Sequence, residues 1–176
     1  MALKGAIVTA VDISEESLRY AREYAKMLNI EKIEFILGDV HHKISCIEDG
    51  QFDLVFMTYG VLCWLNDLQA VFSNAARYLK QRGQFLLIDR YPFLDLLDDS
   101  HNKLELRGQY LYDSLPEQCI CRTSYIGSGQ LSNPTTYQWS HNLGNIFEAP
   151  ITSRFTIEHF REYVWIHYKR YSSLVK

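Results

Sequence analysis

The run Phe52 to Met57 (FDLVFM) is apolar at every position but one, which is how a strand buried on both faces reads. Such a strand needs cover above and below, and the neighbouring sequence supplies it by alternating short apolar runs with amphipathic helices. Ala6 to Val11 (AIVTAV) is a first strand ending at Asp12, Ile33 to Leu37 a second, Phe52 to Met57 a third and Gln84 to Ile88 a fourth. After the first, Ser14 caps a helix with Glu15 and Glu16 in its opening turn, where negative charge complements the helix dipole. Leu18, Ala21, Ala25 and Leu28 mark its apolar face and Asn29 stops it. Gly38-Asp39 closes the second strand, and 41–50 is a looser stretch. Asp67 caps the next helix, with Leu68, Val71, Phe72, Ala75 and Leu79 facing inward and Lys80, Arg82 and Gly83 ending it. The alternation predicts an α/β fold with a parallel sheet covered on both faces.

After Tyr91-Pro92 the rhythm changes to turn residues and alternating aromatics, the pattern of an inserted antiparallel meander. Its expected strands are Gln109 to Tyr112, Gln118 to Ile126 and Thr135 to Ser140, separated by Ser114-Leu115-Pro116 and Ser132-Asn133-Pro134. A short helix over Asn142 to Glu148, stopped by Pro150, and a last sheet strand over Phe155 to Phe160 are expected to follow.

Composition narrows the function. With 176 residues, 47% hydrophobic and 22% charged, the chain is long and apolar enough to bury a core as one domain. A net charge of −3 without a basic stripe argues against nucleic acid, because phosphate binding needs concentrated Lys and Arg. No run approaches the roughly 18 apolar residues that span a bilayer, and the start, MALKGAIVTAVDIS, has no signal-peptide pattern, so a cytoplasmic protein is expected. Cys46, Cys63, Cys119 and Cys121 form no CxxC pair, so no metal site or disulfide framework is predicted. The 14% aromatic content, concentrated after residue 90, can line a pocket for a small molecule or simply fill the core.

In an open parallel sheet, ligands lie beyond the carboxyl ends of the strands. Asp12 ends the first strand, where a carboxylate can accept from the vicinal hydroxyls of a ribose. Asp39 ends the second, where it can take amino hydrogens of an adenine while the Val40 amide donates to a ring nitrogen. Thr58-Tyr59-Gly60-Val61-Leu62 follows the third, and Gly60 permits close backbone approach. Each acid also has the plainer reading of a loop or cap residue.

Taken together, the stretches AIVTAVDISEESLRYARE, IEFILGDV and FDLVFMTYGVLCWLNDLQAVFSNAARYLKQRGQFLLID, covering Ala6 to Asp89, resemble the class I S-adenosylmethionine-dependent methyltransferases with their Rossmann-like sheet. The later TYQWSHNLGNIFEA and FTIEHFREY look like the small-molecule members that carry an antiparallel insert. The resemblance implies S-adenosyl-L-methionine as cofactor and a small-molecule methyl acceptor as partner. It implies that Asp12 holds the ribose, Ile13 packs on the adenine, Asp39 and Val40 read the adenine edge, and Tyr59 with Val61 flanks the methionine moiety. It divides the chain into a cofactor-side half (1–91), the insert (92–141) and a last helix, strand and tail (142–176).

Methyl transfer is an in-line displacement, so the protein mainly aligns donor and acceptor, excludes water and in some reactions removes a proton. Tyr59, Trp64, Tyr137 and Trp139 are aromatic candidates beside a sulfonium, with core packing as the competing reading. His141, opening the helix after the Tyr137-Gln138-Trp139 strand, is the candidate general base; a helix-start histidine bonded to backbone is the alternative. His42 lies nearer the adenine end, and His101, His159 and His167 show no pattern.

Two family features are missing from this sequence. The first strand and its GxGxG turn, which cradle the methionyl part of the cofactor, have no counterpart, and Gly127-Ser128-Gly129 follows no parallel strand. The family's final strand has no candidate after Phe160. The expectation is therefore a methyltransferase sheet truncated at both ends, lacking its first and last strands. Because those strands are interior ones, either neighbouring strands close the gap or a second copy of the chain supplies the pairing, and a homo-oligomer or domain-swapped dimer is expected. The competing function is a non-catalytic binding or oligomerising module. A hydride-transfer domain fits the third strand and its following helix less well.

Overall fold

The computed structural model describes residues 1–98, 104–106, 110–111, 114–120 and 133–163. Its N-terminal half follows the alternation in the sequence: β1 (Val8–Asp12), α1 (Glu15–Met27), β2 (Ile33–Leu37), β3 (Phe52–Thr58), α2 (Leu68–Tyr78) and β4 (Leu79–Ile88). The Ser14 hydroxyl accepts from the Ser17 N–H and the Asp67 carboxylate from the Ala70 N–H, so both helices begin at their expected caps. Asn29, left-handed at φ 53°, lies just past α1 and turns the chain toward β2.

The strands pair as two separate parallel ladders. β1 runs beside β2 from Val8 opposite Ile33 to Asp12 opposite Leu37, and β3 runs beside β4, ending with Thr58 opposite Ile88. Among the described residues no ladder joins the two pairs, whereas the sequence pattern had implied one parallel sheet. Side chains connect them: Ile44, Ile47 and Tyr78 form a cluster on which Val11 and Ile36 of the first ladder and Phe52 of the second all pack. The larger cluster holds Leu62, Leu65, Leu68, Val71, Phe72 and Ala149, with Met57, Phe85 and Leu87 against it. The opposite face of β3–β4 presents Leu54, Phe56, Leu86 and Ile88, each more than a third exposed.

Several expectations are corrected. α2 does not trail off through Lys80 and Gly83: the chain passes at Leu79 straight into β4, and Arg82 at φ 66° absorbs the irregularity between Phe52 and Leu54 in the ladder. The carbonyls of Lys80 and Phe52 would come within 3.0 and 3.1 Å of a Cβ at position 83, so glycine permits that approach. Pro150 does not stop the last helix, because α3 runs Leu143–Thr152 with the proline inside it. The missing N–H forfeits one helical bond, and burial of Ala149 with Ile146 packed against the larger cluster holds the helix in place.

No strand forms over 155–160. The Phe155 N–H donates to the Pro150 carbonyl (3.0 Å), and its ring packs edge-on against both Phe72 and Phe85, with centroids 6.2 and 5.5 Å away. In the insert, β5 (Leu97–Asp98) pairs antiparallel with β6 (Glu105–Leu106), and β7 (Glu117–Ile120) with β8 (Thr135–Gln138). The strand expected at Gln109 to Tyr112 is not seen at Tyr110 and Leu111, while 109, 112, 121–126 and the tail from 164 lie outside the described residues. No described helix is long and apolar enough to cross a membrane.

Phe72, 2% exposed, is the most enclosed large side chain, and the buried Tyr78 hydroxyl accepts the Ile44 N–H at 2.7 Å. In urea melts, Phe72→Ala is expected to cost about 3–5 kcal/mol. Tyr78→Phe, which strands a buried donor, is expected to cost about 1–3 kcal/mol.

Candidate functional site

The residues singled out by the sequence lie at strand ends that the chain ties together. The Gly38 N–H donates to the Asp12 carbonyl (3.0 Å), joining the ends of β1 and β2. Val40, just past β2, and Val61, just past β3, pack on the same buried cluster, and the Val40 carbonyl accepts from Asn74 Nδ2 on α2. Asp12 is exposed, with Oδ1 accepting the Ser14 N–H at 2.8 Å, and Ile13 beside it is 72% exposed.

Asp39 is more heavily used. Its Oδ1 accepts from the His41 backbone N–H (2.9 Å) and ring Nδ1 (2.7 Å), and Oδ2 from His42 Nδ1 (3.1 Å). A carboxylate cannot donate, so both rings carry their proton on Nδ1. Burial pushes the Asp39 carboxyl up, but the His41 N–H and the two imidazoles outweigh it and hold it below the ordinary carboxylate range.

The turn after β3 has consecutive left-handed residues, Tyr59 at φ 54° and Gly60 at φ 82°. The Tyr59 N–H continues the ladder to the Ile88 carbonyl (2.7 Å), and its ring is exposed. The next donors bend to one carboxylate at the end of β4: Asp89 Oδ1 accepts from Gly60 N–H (2.8 Å) and Arg90 N–H (2.6 Å), and Oδ2 from Leu62 N–H (3.0 Å).

The same turn holds the insert and α3. The Trp139 N–H donates to the Cys63 carbonyl (2.8 Å), and His141 Nε2 lies 2.6 Å from the Leu65 carbonyl, to which it donates. Trp139, His141, Cys63, Asp89 and Arg90 border a cavity of about 20 Å³, room for one water. Arg90 pairs with Asp95 at 3.0 Å. Burial pushes the Cys63 thiol up, and although Arg90 opposes this, the group stays protonated and donates to the Gly60 carbonyl at 3.2 Å. Burial lowers His141 against the raising effect of its bond to Leu65, so the ring is neutral at pH 7. Tyr137 and Trp64 are exposed, His159 is exposed and apart from these turns, and His101 and His167 lie outside the described residues.

Residues 1–87 match the family described as a methyltransferase domain. The match covers just under half of the chain, and it is this N-terminal segment that is similar to the family. The uncharacterized methyltransferase YcgJ of Bacillus subtilis is 26% identical over 134 residues, covering 74% of this chain and 50% of the relative. YqeM of the same organism is 27% identical over 173 residues, covering 92% and 64%. The chain thus spans about half to two-thirds of the length of these curated relatives. A SAM-dependent methyltransferase structure from Methanosarcina mazei superposes with TM-score 0.61 at 21% identity, over 91% of this chain and 74% of that one. An S-adenosylmethionine-dependent methyltransferase from Clostridium acetobutylicum gives 0.62 at 16%, over 90% and 68%. The fold is the Rossmann-like α/β fold of those methyltransferases, here with small sheets.

Sequence reading of the methyltransferase domain passed over Asp89 and the histidine pair on Asp39. A signal existed for Asp89: Ile88-Asp89 ends its strand as Val11-Asp12 does. Nothing in the spacing indicated that its carboxylate turns back onto backbone donors 27 and 29 residues earlier.

The His141 environment predicts a pH dependence. Its folded-state pKa is lowered, so stability is full above the unfolded value of about 6.5 and declines as pH falls below it, because the unfolded chain takes up the proton first. Denaturant melts between pH 7.5 and 5.5 should show an added loss of at most about 1.4 kcal/mol per pH unit relative to His141→Phe, which lacks that slope.

Proposed function

We propose that this chain carries the cofactor-binding half of an enzyme transferring a methyl group from S-adenosylmethionine to an oxygen, nitrogen or carbon of a small molecule. The observation carrying this reading is that Asp12 ends β1, while Asp39 with Val40 and Tyr59 with Val61 lie just past β2 and β3, in a segment similar to methyltransferase domains.

The residues fit the cofactor unequally. Asp12 spends one of about four acceptor positions on its own loop, leaving capacity for two ribose hydroxyls. Exposed Ile13 offers an apolar surface for the adenine. Asp39 uses three of about four positions on the histidines, so an adenine amino group takes the remaining one or displaces His42, whose side chain is 80% exposed and free to swing outward. Tyr59, held in a left-handed turn, presents its ring beside the methionyl end, where an aromatic face favours a cation. Val61, anchored in the core, flanks it.

When bound, the cofactor supplies an electrophilic methyl group on a sulfonium. The insert and α3 supply the acceptor side, with His141, whose Nε2 donates to the Leu65 carbonyl and whose ring borders the small cavity, as the base. A non-catalytic binding or oligomerising module is the second reading, and the carboxylate of Asp39, already occupied by two histidines, favours it. Isothermal titration tests the first reading: weak binding of S-adenosylhomocysteine is expected, and Asp12→Ala should weaken it about tenfold or more by loss of charge-assisted bonds. No heat with either form of the cofactor at millimolar concentration overturns the first reading and leaves the second.

We also propose that the chain assembles with further copies of itself. β1 and β3 each pair on one edge only among the described residues, and Leu54, Phe56, Leu86 and Ile88 leave one face uncovered. Sedimentation is expected to show a dimer or larger species that Phe56→Asp shifts toward monomer; a monomer at every concentration overturns the proposal.

A further inference from the structure

Four attachments converge on the turn between β3 and α2. Tyr59 is pinned to Ile88, Gly60 and Leu62 to Asp89, Trp139 of the insert to Cys63, and His141 of the α3 approach to Leu65. The turn therefore carries Tyr59 and Val61 at one end and the attachment points of Trp139 and His141 at the other. The backbone at Tyr59 and Gly60 is left-handed, a state costing about 1–3 kcal/mol at a residue other than glycine, so something must hold it. The Asp89 carboxylate does so, because its two oxygens separate two donors that flank Val61.

We propose that Asp89 is a positioning residue of this site: it fixes the turn that sets the cofactor-side residues Tyr59 and Val61 against the acceptor-side residues Trp139 and His141. The role rests on the cofactor reading above for its ligand, but the anchoring of the turn is a property of the unliganded chain. Asp89 is suited to it by geometry. An aspartate at the end of β4 reaches Gly60 and Leu62 with one short side chain, and the Arg90 N–H on Oδ1 fixes its rotamer. An amide in its place keeps one acceptor oxygen but turns an NH₂ toward the second donor.

The test uses the full chain as wild type, Asp89→Asn and Asp89→Ala. Amide hydrogen exchange by NMR reads the turn without ligand, and titration with S-adenosylhomocysteine reads the site. In Asp89→Ala, exchange at Gly60 and Leu62 is expected to accelerate about tenfold or more, as the loss of charge-assisted bonds requires. The amides of Val55 and Met57 in β3 should keep their protection, and ligand affinity should fall in parallel. Asp89→Asn is expected to retain protection at one of the two turn amides and to lie between the others in affinity. Unchanged exchange at Gly60 and Leu62, exchange accelerated equally throughout β3, or a loosened turn with undiminished affinity each overturns the proposal. A wild type that fails to bind while its turn amides respond as expected removes the cofactor reading and leaves Asp89 as the anchor of the turn.

Discussion

A carboxylate accepting three backbone N–H groups is a strong local constraint, and the arrangement around Asp89 depends on it. Each bond to a charged acceptor is worth about 1.5–3 kcal/mol, enough to offset a left-handed tyrosine. The turn held in this way also enters the core: Leu62 and Leu65 are among the most buried residues and touch the cluster that α2 and α3 share. Core packing and site geometry are therefore not separable here, because the segment that presents Tyr59 to solvent buries its next leucines against Phe72 and Ala149.

The two ladders are unequally supported. α2 buries Leu68, Val71, Phe72, Ala75 and Tyr78, while α1 buries only Leu18 and Ala25. The β1–β2 ladder is attached to the remainder mainly through Ile44, Ile47 and Tyr78. Fewer buried apolar contacts mean a lower free energy of local opening, so the ladder bearing Asp12 and Asp39 is the softer of the two. The stiffer ladder bears the turn that carries Tyr59; on the proposed cofactor reading, that difference puts the softer ladder at the adenosyl end and the stiffer one at the methyl-bearing end.

Local signals in the sequence predicted the local structure well. The strand cores, the caps at Ser14 and Asp67, and the stop at Asn29 are each written in a few adjacent residues. The failures share a cause in long-range contact. Pro150 reads as a stop, yet packing of α3 on α2 keeps the helix running through it. Phe155 to Phe160 alternates like a strand, yet with no ladder partner its first ring serves an aromatic cluster. The separation of the ladders follows from which strands find neighbours, a fact no single segment carries. For the site, the residues following each strand were legible by position, while their partners were not: that His41 and His42 converge on Asp39 depends on the turn between them.

Asp12 and Asp39 show why equal positions in sequence do not give equal chemistry. Both follow an apolar strand, and both accept from a backbone N–H two residues on. Only Asp39 has histidines at the next two helpful positions, and they convert an open acceptor into a nearly saturated one. A ligand amino group arriving at Asp39 takes the one remaining acceptor position or exchanges with His42, and in the second case its net gain is only the difference between its own hydrogen bond and that of the exposed His42. A ribose hydroxyl arriving at Asp12 adds a bond outright. On the proposed cofactor reading, the larger share of polar binding energy falls on the ribose end, while Asp39 contributes chiefly discrimination, rejecting bases that offer an acceptor where the histidine had offered a donor.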